Sequence, residues 1–224
     1  METASTESVK RLGIGVSMIL APLLLGVGFA IHPTQSASGA EQLRVIAATP
    51  GRWDLAHGLI LVSLVLFIPA VVGIMGFLQQ RGAWLGLIGG TFVAIGVVFF
   101  AAWVGAEGFV SSALASLPAN QQAALAPAMH AIIVPRGALS FVATTSFLLI
   151  AGLLVLAIGL FAARSVPRWM SVAMAVGVLL LIGGASIGAL MSLVGGCALL
   201  VFGMGSMSVQ VVKPPHEVQE AMPV

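Results

Sequence analysis

WMSVAMAVGVLLLIGGASIGALMSLVGGCALLVFGMGSMSVQVV, residues 169–212, carries no charged side chain. As one helix rising about 1.5 Å per residue it would extend about 66 Å, roughly twice the hydrocarbon thickness of a bilayer. The stretch must therefore fold back on itself, and the segment near Gly188 to Ser192 is the expected place. Working outward from it, four more uncharged runs, each about half as long, appear at 12–31, 55–78, 84–106 and 138–163. With the last stretch divided into 169–187 and 191–212, the chain reads as an all-α integral membrane bundle of six transmembrane helices. Composition agrees: 7% of residues are Asp, Glu, Lys or Arg and 59% are hydrophobic, where an ordinary soluble domain carries roughly 25% charged residues. A membrane β-barrel is excluded by the same runs, because barrel strands alternate in polarity over about ten residues.

Orientation follows from the basic residues. Lys10, Arg11, Arg81, Arg164, Arg168 and Lys213 fall at one set of span ends, and Arg44, Arg52 and Arg136 at the other. The larger group belongs in the cytoplasm, which places both termini there. Trp53 and Trp103 then lie near outer span ends and Trp84 and Trp169 near inner ones, expected as ring anchors at the headgroup level. Residues 1–11 and 213–224 are cytoplasmic tails around a single domain, 12–212, whose outer loops cover about 32–54 and 108–137. Pro22 and Pro69 lie inside spans and are expected to kink them. Lys10 and Arg11 before an apolar run also suit a cleaved signal peptide, but the run exceeds a signal core of about 7 to 15 residues, so it is read as a retained span. Ala, Gly and Val richness points to a bacterial plasma membrane. The positive balance belongs to the inner face and gives no reason to infer nucleic acid.

The polar residues are unevenly distributed. The segment RWDLAH, 52–57, sets an arginine, an aspartate and a histidine at the mouth of an uncharged run. Counting helical rise from the cytoplasmic basic residue of each span puts His32 at about 31 Å, His57 at about 36 Å, Glu107 at about 39 Å, Asp54 at about 40 Å and Arg136 at about 42 Å. Four spans thus contribute to one outward-facing polar layer. Asp54 and His57 are three apart and share a helix face. The plainest reading is structural, with Asp54 capping the second span and Arg136 pairing with Glu107.

Three functional readings stand beside it. The first is a metal site, with His32, His57 and either Asp54 or Glu107 as ligands, since imidazole and carboxylate suit Zn or Cu. The second is haem b held between His57 and His130, which requires a fold-back at Pro135, because His130 otherwise lies about 15 Å above His57. The third is a solute-binding or transport subunit. In span count and orientation alone the chain resembles the substrate-binding subunits of energy-coupling vitamin importers. The absence of charge near any span's middle argues against an ion-coupled carrier.

No nucleophile elbow, HExxH or phosphate-binding glycine loop is present, so hydrolysis by a metal-bound water is the enzymatic chemistry left to the layer. The single cysteine, Cys197, cannot form an intramolecular disulfide and reads as a small buried residue. ANQQAALAPAMHAIIV, 119–134, predicts a short helix on the outer surface, broken at Pro118 and Pro127. Gly86-x-x-x-Gly90 and Gly184-x-x-x-Gly188 offer close-packing faces, either within the bundle or between copies of the chain.

Overall fold

The computed structural model of the chain describes residues 2–36, 38–134, 137–187 and 189–212. Among these, all regular structure is helical: α1 Glu2–Ile31, α2 Gly39–Ala48, α3 Pro50–Gly76, α4 Ala83–Gly105, a π-helical turn Ala106–Val110, α5 Ser111–Ala115, α6 Ala119–Ile133, α7 Ala138–Ala163, α8 Arg168–Ile187 and α9 Leu190–Val212. Five stretches contain helix long and apolar enough to cross a membrane: Thr6–Ile31, Pro50–Gly76, Ala83–Ala115, Ala119–Ala163 and Leu190–Val212. Arg168–Gly184 is apolar but shorter. The outward faces carry Val62, Val65, Val72, Leu87, Val98 and Phe202, all more than half exposed. Apolar side chains on the outside of apolar helices give the surface of a multi-pass membrane protein.

Each long helix packs on its neighbour in the order α1, α3, α4, α7, α8, α9, and α9 returns to α1, closing a ring. Glycines set the closest approaches. A Cβ on Gly96 of α4 would lie 2.0 Å from the backbone nitrogen of Leu149 on α7, and one on Gly152 would meet Gly89 and Val93 of α4 at 2.6 Å. Gly177 and Gly196 face each other's carbonyls across α8 and α9. Where the driving force between apolar helices is contact rather than escape from water, such small residues supply it. Gly86 packs against Leu78, Gly90 against Met75 and Gly184 against Leu193, all within the chain, while Gly188 lies outside the described residues. Cys197 is buried where α9 crosses Gly26 of α1. Ser63 donates to the Ala21 carbonyl at 2.7 Å, a polar tie between α3 and α1.

The last two helices separate between Ile187 and Leu190, so α9 begins two residues before the end of the turn expected from sequence. Pro22 and Pro69 sit inside continuous helices. Pro127 does as well: α6 starts after Pro118, as expected, but runs through Pro127, and Met129 beyond it is buried in one cluster with Leu43, Ile46 and Trp53.

A cap of the short helices α2, α5 and α6 covers the end of the ring where α1 ends and α3 begins. Ser38 begins α2 by accepting from the Glu41 backbone N–H at 3.2 Å, the serine half of a capping-box sequence. Leu43 and Ile46 of α2, Trp53 of α3, Ala115 of α5 and Met129 of α6 form a second, smaller core apart from that of the ring. Gln122 donates to the carbonyls of Ala115 and Leu117 at 2.8 and 2.7 Å, which ties α6 back to α5.

Candidate functional site

RWDLAH occupies the first two turns of α3, beneath this cap. The helix begins at Pro50, whose missing N–H costs nothing at that position. Asp54 is therefore a full turn inside α3, exposed, and does not cap it as the sequence suggested. Arg52 reaches sideways and donates from Nε to the Ile31 carbonyl at 2.5 Å, placing a cation at the open C-terminal end of α1. Trp53 turns inward, is fully buried, and donates its indole N–H to the Gly108 carbonyl at 3.0 Å. Fully buried, its ring has no face to offer a headgroup layer, so it is not the anchor expected from sequence. Trp84 and Trp169, at 76% and 45% exposure, keep the character expected of anchors.

His57 is 1% exposed. Its ring stacks at 4.3 Å from Trp53 and 4.9 Å from His32, and His32 lies 4.9 Å from Trp53, so the three rings form one triangle. The other side of His57 is closed by Gly108, where a Cβ would come within 2.7 Å of the imidazole. Gly108 belongs to the π-helical turn that ends α4, a local widening that presents its backbone to the ring.

Both imidazoles are fixed the same way. His32 Nδ1 lies 2.7 Å from the Pro33 carbonyl and His57 Nδ1 lies 2.9 Å from the Trp53 carbonyl. A carbonyl only accepts, so in each ring Nδ1 carries the proton, and in the neutral imidazole Nε2 holds the lone pair. Burial pushes the His32 pKa down to about 4, helped by the neighbouring His57. His32 is therefore neutral at pH 7.

Beside the triangle, Glu107 is 7% exposed and accepts from Gln35 Nε2 at 2.5 Å and from the Trp103 indole N–H. Gln42, also buried, accepts from the Ser36 backbone at 2.6 Å, while its Nε2 and the buried Ser111 hydroxyl have no hydrogen-bond partner among the described residues.

The structure thus brings His32 and His57 into ring contact, with Glu107 on the residue before Gly108. It does not add Asp54, which faces outward, and His130 is exposed on α6 rather than buried with His57. Arg136, and with it the expected pairing to Glu107 and the fold-back at Pro135, lies outside the described residues. Among the described residues no group of three His, Cys, Asp or Glu converges as a metal cage. Trp53, Gln35 and Gly108 are the members that sequence reasoning missed. Trp53 was misread as an anchor, and Gln35 had no signal beyond its position three residues after His32. No protein-family model, curated protein or solved structure matches the chain.

Proposed function

We propose that the chain is a six-span plasma-membrane protein, with both termini cytoplasmic, that binds a small ligand at its outward-facing polar layer through the Nε2 lone pairs of His32 and His57. The ligand class this chemistry favours is a late first-row metal ion, Cu or Zn. The observation that carries the reading is the matched pair of Nδ1 bonds to backbone carbonyls. A metal-ligating histidine is usually held by that same bond, which fixes the tautomer and aims the other nitrogen. The half-buried His32, neutral at pH 7, also spares the metal a competing proton there. Two histidines leave coordination positions open to water or an exogenous ligand, as in a site that takes up or handles its metal rather than one that only braces the fold.

A second reading is a small solute rich in N–H or O–H groups, donating to the same two nitrogens. It is favoured by the lack of a third protein ligand and by the unpartnered Gln42 and Ser111. Elemental analysis of the detergent-purified protein, wild type beside His57→Ala and His32→Ala, separates the two. Near-stoichiometric Cu or Zn lost in both variants is the expected result. A metal-free wild type that also fails to gain thermal stability with added Cu or Zn overturns the metal reading and leaves the solute.

A further inference from the structure

A cavity of about 560 Å³ lies inside the outer half of the helix ring. Its floor is Phe67, Leu153 and Leu181, none more than 5% exposed, and its walls include Phe29, Phe100 and Trp103. Beyond that floor the ring is filled by buried Ile74, Leu156, Leu160 and Met174. In the outer half, α7 presents the small Ala143 and Ser146 instead. Neither polar group on the wall is available: Ser146 donates to the Val142 carbonyl of its own helix at 2.8 Å, and the Trp103 indole donates to Glu107. A cavity without polar partners does not hold ordered water and takes apolar molecules. Its size lies within the range of about 300–1,000 Å³ found for small-molecule sites.

The way in points to the bilayer. All buried residues of α7 lie from Leu149 onward, and its outer half, 138–148, has none. Phe147 lines the cavity and is still 55% exposed, so one ring forms both the inner wall and the outer surface. A molecule reaching the cavity past Phe147 comes from the hydrocarbon around the helices.

We propose that this cavity is a binding site for the hydrocarbon chain of a membrane amphiphile, acyl or isoprenoid, which enters laterally beside the outer half of α7. Its polar end lies toward Glu107, one helical turn beyond Trp103. The inference does not depend on the ligand of the His32–His57 pair.

A diazirine-bearing fatty alcohol and a diazirine-bearing isoprenoid alcohol, each photolysed with the wild-type protein in lipid nanodiscs, test it directly. The expected result is adducts on Phe67, Leu153 or Leu181, which lipid around the bundle cannot reach, competed by the unlabelled alcohol. Whichever probe labels names the chain class. Adducts from both probes confined to exposed positions such as Val65 and Val98 overturn the proposal. Filling the space with Ala143→Phe and Ser146→Phe is expected to reduce floor labelling severalfold while the far-ultraviolet helix signal stays unchanged. Undiminished floor labelling in that folded variant overturns it too.

Discussion

At the scale of single residues, the polar layer depends on a glycine more than on any charge. Gly108 is the position where the backbone of the π-helical turn lies against the His57 ring, and a methyl there would sit 2.7 Å from two of its carbons. His57 has no room to retreat, being stacked on Trp53 and His32. Gly108→Ala should therefore cost roughly 1–3 kcal/mol as an overpacking change, read as a lower unfolding midpoint in detergent. Gly58→Ala, one residue past His57 and with nothing within 4 Å of the added carbon, should be neutral or better. Equal midpoints for both would show that His57 is not clamped. His32 gives a second test. Its folded pKa of about 4 lies below the ordinary 6.5, so between those values the unfolded chain binds more protons. Stability then rises with pH across that window, and the stabilising contribution is lost on acidification. The midpoint should fall between about pH 7 and about pH 4, and His32→Gln should flatten that part of the profile. A wild-type profile already flat across the window would mean that His32 titrates as a solvated imidazole.

At the scale of elements, the long helices could be read from sequence because a bilayer imposes one length and one polarity on every span. Continuous apolar runs therefore mark several of their ends, as at Ile31 and Ala163, although α1 starts ten residues and α3 five residues before its run. The outer cap obeys no such rule. It is a small second core built from α2, α5, α6 and the start of α3, whose members lie far apart in sequence. Trp53 looked like an anchor because nothing local shows that Met129, far along the chain, will cover it. Pro127 looked like a break because local propensity speaks against proline inside a helix, whereas burial of Met129 and Ile132 decides the matter. The nearness of His32, His57 and Glu107 within the polar layer was legible, since counting rise along straight helices needs no knowledge of packing. The layer's composition was not. Asp54 and His57 share a helix face by spacing, yet only the side of α3 turned toward Gly108 is buried, and that side holds Trp53 and His57 without Asp54. Gln35 enters through a loop, where periodicity is silent.

At the scale of the whole molecule, the closed ring of six helices makes a topology claim that five long apolar stretches alone do not make. α8 is the helix at issue. Its 20 residues rise about 30 Å, just the hydrocarbon thickness, with no length to spare for tilt. It packs on both α7 and α9, and Gly177 and Gly203 keep it in backbone contact with α9 over several turns. A helix held along its length between two crossing helices should cross with them. Met191, 84% exposed at the start of α9, would then face the outside, as would Glu41 on α2, whereas Arg81 before α4 would face the cytoplasm. Single cysteines at these three positions, in a Cys197→Ser chain, can be tested in intact cells with a membrane-impermeant maleimide. Glu41→Cys and Met191→Cys should react at once, and Arg81→Cys only after permeabilisation. Reaction of Arg81→Cys alone would invert the orientation. A Met191→Cys that stays unreactive on both sides would bury the α8–α9 turn within the membrane and reduce α8 to a re-entrant helix. The sixth span would then be lost, and with it the ring's claim to enclose the cavity across the outer leaflet.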